Sequence, residues 1–471
     1  MQIPFIKNKT IKRHAIFAAC LFVVAWFLFA HPDILETANH SYLFLENLFG
    51  GNILHFYENV MAHENTLYYI NNAHYNIVVY AIFGVFLLPV FIVNKLFLLP
   101  VQEVLIYFIA KLVAIGFFLG CIYLTYRIAK ILLEKEEESL WAGLNTALWP
   151  PAFFAACVMG QYDSICLFFT LLGILCWLEG NLQKAAIWFG VGAACKFFPL
   201  MLFAPLILLK EKRPLQILKY GILSLWLTFP AALLFRGRTG DMSVFNGLMI
   251  DRVFAARFGG GVEFALFPVA VLFICIVAYL WRPRREEDTH KAGIWLGVII
   301  FGLLFLLVDW HPQWFLLLAP FLAITTALEE DRLLWGVLDV VLSVGFFLRC
   351  AIYYPGMLEA NLLDFGLIGI FTNYNTLTMA GTYNTTSFYI VQLAPILLNL
   401  APVLFCTPLL AHIVLKAPYK SKTIAAALEG GKETAKQPLP EYIYVWGIFF
   451  AGFGCWLLPV AFTWLKKFGI F

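Results

Sequence analysis

Apolar residues run through this chain in blocks long enough to cross a bilayer, and short polar stretches separate them. A crossing takes about 20 residues of helix. Helices are the natural spanning form because the backbone must satisfy its own polar groups in lipid. The pattern predicts spans at 15–30, 105–128, 140–158, 165–178, 185–209, 217–235, 264–281, 292–308, 314–328, 333–348, 388–415 and 445–465. Block 77–93 is ambiguous, being apolar but short and interrupted by Pro89. The polar stretch after the first span holds Asp33, Glu36, Glu46, Glu58 and Glu64. Longer connections fall at 236–262, 351–387 and 417–441, the last polar and flexible in composition.

Composition agrees with the pattern. The 471 residues are 62% hydrophobic and only 13% charged, whereas soluble domains average about 25% charged. The expected fold is all-α and polytopic, with about 13 transmembrane helices, some half-length, and a long first external loop (31–104) carrying surface helices. A net charge of +3 is too small to suggest nucleic acid. The ten cysteines sit mostly inside apolar blocks with no CxxC pairing, so they read as packing residues. Lys7, Lys9, Lys12 and Arg13 before the first block resemble the start of a signal peptide. No clear small-residue cleavage site follows, which favours a retained first helix with its N-terminus in the cytoplasm.

Charge then sets topology. If block 77–93 crosses, Arg127, Lys130, Lys135 and Lys184 fall outside the membrane. If it only dips into the external face, they become cytoplasmic, but 185–209 must then be a hairpin of two half-helices broken near Pro199. The positive-inside rule favours the dip and the hairpin. Irregular backbone at membrane depth is tolerated where it lines a cavity. In this arrangement Asp33, Asp163, Lys196 and the Asp309–Trp314 turn all face the external side.

Those residues are the candidate chemistry. Asp33 follows the first span, anchored by a helix yet wet enough to ionise, and suits a base or acceptor-orienting group. Glu36 lies one helical turn on. In Gly160-Gln161-Tyr162-Asp163, Asp163 reads equally as a helix N-cap, while Gln161 and Tyr162 offer hydrogen bonds and a ring for a sugar face. Lys196 sits inside an apolar span, where a charge costs roughly 2.5–3.5 kcal/mol on insertion scales and usually meets a partner or cavity; at a broken hairpin tip it could meet a lipid-linked phosphate. Lys111 has similar chemistry. His311 lies in a turn that Pro312 fixes and Trp310 and Trp314 flank. No Walker loop, GxGxxG, HExxH or GxSxG occurs.

Taken in order, these motifs over residues 15–325 resemble the GT-C superfamily of glycosyltransferases. The likeness is to the glucosyltransferases that extend lipid-linked oligosaccharides and to GPI-type and bacterial mannosyltransferases. Asp33 resembles the acidic residue after the family's first helix. Gly160-Gln161-Tyr162-Asp163 is similar to a luminal His-Phe-Gln-Tyr-Asn block, with Gly160 for the histidine and Asp163 for the asparagine. Lys196 matches the lysine of a Phe-Lys-Gln-Met segment. His311-Pro312-Gln313 resembles a His-Glu-Lys motif, with Pro312-Gln313 in place of Glu-Lys. Arg252-Val253-Phe254 and Arg257 resemble an arginine–phenylalanine stretch.

The resemblance implies inverting transfer of a hexose, such as mannose, from a polyprenyl-phosphate carrier to a glycan or lipid hydroxyl. The site would be extracytoplasmic, in a plasma or endoplasmic-reticulum membrane. Asp33 and Asp163 would be catalytic; Lys196, His311 and Arg257 would bind the lipid phosphate; Gln161, Tyr162 and Glu36 would bind acceptor or sugar. Residues 1–235 would form the catalytic module and 236–471 a variable one, in a monomer. No metal ligands are assigned, and a divalent cation stays open. A transporter or flippase is the alternative, since broken helices and intramembrane charges occur there too.

Overall fold

The structure, a computed structural model, describes residues 8–62, 73, 75–98, 103–235, 252–258, 264–283, 285–329, 332–354, 362, 366, 379–418 and 440–467. Among them nearly everything is helical, apart from a ribbon pairing β1 (Arg257–Phe258) antiparallel with β2 (Phe264–Ala265). Seven helices are long and apolar enough to cross a membrane, or nine if each of two bent pairs is one span. Four shorter apolar helices accompany them. The chain is therefore an all-α, polytopic integral membrane protein.

Helix α1 (Lys9–Leu28) starts inside the basic segment, because the Asn8 side chain accepts from the Thr10 and Ile11 N–H groups. It ends where α2 (Pro32–Phe49) begins, with His31 as N-cap and Pro32 in the first turn. A short α3 (Phe56–Ala62) follows, then α4 (Ile77–Phe97) and α5 (Glu103–Leu133).

Pro89 is accommodated inside α4, which runs 21 residues and so is long enough to cross, contrary to its short appearance in sequence. Trp26 near the end of α1 donates to the Phe108 carbonyl at 3.0 Å, so α5 begins where α1 finishes. Helix α4 lays one face on α2: the Phe91 and Phe49 rings lie 5.3 Å apart, and Lys95 pairs with Glu46 at 2.9 Å. Its other face leaves Val85 and Leu96 exposed, as suits an apolar surface against lipid.

Helix α6 (Glu136–Leu148) is continuous in sequence with α7 (Pro150–Phe153), but Pro150 and Pro151 bend the predicted 140–158 span by 57°. A π-helical stretch, Phe154–Met159, closes it at Gly160.

Next come α8 (Asp163–Leu178), α9 (Leu182–Cys195) and α10 (Phe198–Lys210). Lys196, just after α9, reaches back to Asp163 at the start of α8. Lys210, ending α10, donates to the Trp177 carbonyl near the end of α8 at 2.6 Å. Helices α9 and α10 therefore fold back on each other as a hairpin. The break falls at Lys196-Phe197, and Pro199 sits in the first turn of α10, where its missing N–H costs nothing.

The predicted 217–235 span is also broken, into α11 (Pro214–Leu223) and α12 (Thr228–Leu234), which meet at 51°. Helices α13 (Leu266–Leu280) and α14 (Glu286–Leu307) lead to a 3-10 stretch, Pro312–Leu318, that continues as α15 (Ala319–Ala327). Helices α16 (Arg332–Tyr353), α17 (Met379–Leu415) and α18 (Glu441–Lys467) complete the bundle. Polar contacts tie these last helices to one another and to α15. Tyr444 donates to Asp339 at 2.6 Å, Arg332 pairs with Glu441 at 2.8 Å, and Lys416 donates to Thr326 at 2.5 Å.

Candidate active site

The end of the bundle where α1 finishes and α8 starts gathers the predicted residues. His31 Nδ1 accepts the Asp33 backbone N–H at 3.2 Å and lies 3.4 Å from the Asp33 carboxylate. Gln161 bridges the two segments, its Nε2 donating to Asp33 Oδ2 at 3.2 Å and standing 3.3 Å from His31 Nδ1. The first-loop acid and the Gly160–Asp163 block thus form one unit.

Gly160 makes this possible. Its φ of +73° is a left-handed conformation that glycine adopts without strain. A Cβ there would also stand 2.7 Å from the Lys111 side chain. Lys111 is buried, and its ammonium donates to the carbonyls of Ala25, at 2.6 Å, and Phe29 at the end of α1. The cation satisfies carbonyls that a helix C-terminus leaves open. It is a buttress joining α1, α5 and the Gly160 turn.

Asp163 is not the N-cap the sequence allowed. Tyr162 holds that position and Asp163 is in the first turn of α8, its carboxylate turned to Lys196 at 2.8 Å. The pair is buried, with Asp163 0% and Lys196 9% exposed. The ammonium also lies 4.4 Å from the Tyr162 ring centre, a cation–π contact. Tyr162 stands edge-to-face with Tyr75 at 4.6 Å.

From the other side, Trp314 packs on Phe198 at 4.8 Å and brings the His311 turn to the hairpin tip. Arg252 lies 5.9 Å from the Trp314 ring. Arg257 is exposed on β1, its Nε donating to the Phe254 carbonyl at 3.2 Å. Arg252 is thus the arginine that packs on the His311 turn. The cluster thus draws on segments both before and after residue 235.

The acids and the histidine are tuned by this company. Burial alone would raise Asp33, but His31 and then His311 and Lys196 outweigh it and hold the carboxyl at about 2. Burial, followed by repulsion from Asp33 one turn away, pushes Glu36 up to about 8. Burial, then Arg252 and Lys196, push His311 down to about 4 against the pull of Asp33 and Asp309. Near neutral pH the site holds an ionised Asp33, a protonated Glu36 and an uncharged His311.

Among the described residues, several buried polar atoms of these segments have no hydrogen-bond partner, including Gln161 Oε1, the Tyr162 hydroxyl, Asp163 Oδ2, Arg252 Nη1, His311 Nδ1 and Gln313 Oε1. Buried polar groups normally find partners, so these atoms are open to one. No set of three or more His, Cys, Asp or Glu side chains placed to hold a metal occurs among the described residues. His31 was missed in sequence, although His-Pro-Asp before a polar helix is a legible cap.

No family model matches the chain, and no curated protein matches its sequence. Among solved structures it is similar to ArnT from Cupriavidus metallidurans in the apo state. That match has 15% identity over 96% of this chain and 77% of that one, with a TM-score of 0.47. ArnT bound to undecaprenyl phosphate gives 15% identity over 94% and 76%, with a TM-score of 0.46.

Proposed function

We propose that this chain is a GT-C-type membrane glycosyltransferase. It moves a hexose or related sugar from a polyprenyl-phosphate carrier to an acceptor hydroxyl at the extracytoplasmic face, with inversion. The observation that carries this reading is the meeting of Asp33, Gln161, Asp163, Lys196, His311 and Arg252, from segments far apart in sequence, around unpartnered buried polar atoms. Their charges suit a phosphate on one side and a hydroxyl on the other.

Asp33 stays ionised and accepts the hydrogen bond of the acceptor hydroxyl, aligning its lone pair on the sugar's anomeric carbon. A carboxylate near 2 is a weak base, which favours orienting over early proton removal. The acceptor oxygen bonds to the anomeric carbon as the carbon–phosphate oxygen bond breaks, so one displacement inverts the centre. Lys196 keeps ammonium donors beyond the one given to Asp163. With Arg252 it offsets charge developing on the departing phosphate, and neutral His311 supplies a hydrogen bond; such preorganised donors are often a large catalytic term. The hydroxyl proton leaves by way of Asp33 to that phosphate. A protonated Glu36 beside Asp33 can donate to a sugar or acceptor oxygen.

The test is transfer by the purified full-length protein in liposomes, offered a panel of polyprenyl-phosphate sugars. Product from at least one donor is expected. Movement of a lipid or solute across the liposome without any product would replace the enzyme by a transporter.

A pH profile tests the Glu36 assignment. Glu36 is neutral below about 8 and charged above it, so transfer falls as pH rises through that value. Glu36→Gln, permanently neutral, should give a level profile there whatever its absolute rate. Stability follows the same sign. A carboxyl raised from 4.5 to about 8 binds its proton more tightly when folded, so stability declines as pH climbs between those values. Thermal melts of both proteins across that window check it; equal slopes would remove Glu36 as the cause.

A further inference from the structure

Arg349 lies near the end of α16, and its guanidinium carbon is 5.1 Å from the Trp310 ring centre, 5.6 Å from Tyr353 and 5.2 Å from Phe405. Among the described residues these ring contacts are its company; it makes no hydrogen bond and no ion pair. The acid nearest in sequence to Trp310, Asp309, is already engaged, accepting from the Tyr354 hydroxyl at 2.8 Å. An ionisable side chain in a spanning helix is costly and calls for a partner. Three aromatic faces recover part of that cost, but they accept nothing from the N–H groups along the guanidinium edge.

That edge is the fork that takes two oxygens of a phosphate at once. The surroundings point to where the phosphate comes from. Tyr353, one of the three rings, is 54% exposed, so the niche opens at the surface of a helix long and apolar enough to span a membrane. A cation one turn from the end of a spanning helix stands near headgroup depth, which suits the phosphate of a lipid. Trp310 directly precedes His311, so this niche adjoins the candidate active site, with Arg349 as a cation of its own separate from Lys196 and Arg252.

We propose that Arg349, framed by Trp310, Tyr353 and Phe405, anchors a second anion site that takes the phosphate of a membrane lipid. The site does not depend on the reaction proposed above. Two lipids share the chemistry, a polyprenyl-phosphate carrier and an anionic phospholipid.

Native mass spectrometry of the full-length protein separates them, with titration of undecaprenyl phosphate, phosphatidylglycerol and, as a control without phosphate, undecaprenol. Arg349→Gln should weaken one class of bound lipid phosphate by roughly tenfold or more, as expected for losing a charge-assisted contact. Undecaprenol binding should be unchanged. Loss confined to undecaprenyl phosphate assigns the site to the carrier; loss of phosphatidylglycerol, alone or as well, assigns it to a bilayer phospholipid. Wild-type binding of both phosphates by folded Arg349→Gln overturns the proposal. Should that variant not fold, Arg349→Met, which also removes the charge but stays apolar among the three rings, decides in the same way. An absence of sugar transfer in the wild type would leave this result standing, so the two proposals fail separately.

Discussion

Asp33→Asn is expected to lower sugar transfer by roughly 10²–10⁴-fold, the range for losing a positioned acid–base group, while the protein keeps its fold. Asn has the same shape, so His31 still caps α2 and Gln161 still has an oxygen to meet. The charge is what disappears. The acceptor hydroxyl then loses its strongest hydrogen-bond partner, and the cations of the cluster lose the anion that balances them. Because Asp33 is already ionised well below neutral pH, the loss should be level across the neutral range. Initial rates with the best donor from the panel, alongside a thermal melt, measure both parts. A variant within tenfold of wild type would remove Asp33 from the chemistry.

The second large effect concerns stability. Lys196→Met leaves the Asp163 carboxylate buried with no cation, and breaking a buried pair by removing one member costs about 3–5 kcal/mol. Asp163→Leu should cost a similar amount for the mirror reason. The double variant should recover much of the loss, since an apolar pair of similar volume carries no desolvation penalty. Its activity should stay lost, because Lys196 also faces the donor phosphate in the proposed mechanism. Unfolding of the four proteins in one detergent gives the cycle. A loss below about 1 kcal/mol for Lys196→Met would mean the pair behaves like a surface ion pair.

Much of this was legible in residue order. Apolar blocks placed most helices, and the charge balance required 185–209 to be a hairpin, whose arms meet at Lys196. Asp33, Gln161, Asp163, Lys196 and His311 were found because charged or hydrogen-bonding side chains stand out at the edges of apolar runs. Four things were not legible. Hydropathy does not record direction, so the bends at Pro150 and between α11 and α12 passed as straight spans. Asp163 looked like a cap because the local pattern could not show a lysine 33 positions on competing for its carboxylate. The choice between Arg252 and Arg257 depends on which one packs toward Trp314, a contact between distant segments. Arg349 was hidden for the same reason, since its aromatic frame is assembled from three separate stretches.

The brevity of the helices around the hairpin carries one more consequence. Helix α8 has 16 residues and α10 has 13, which at 1.5 Å per residue reach roughly 24 and 20 Å. The hydrocarbon of a typical bilayer is about 30 Å thick. Set with their Lys210 end at one lipid surface, these helices would leave the Asp163–Lys196 tip several ångströms short of the other, at the bottom of a basin. In the proposed reaction a long-chain carrier would lower its sugar phosphate into that basin, and a water-borne acceptor would descend to meet it.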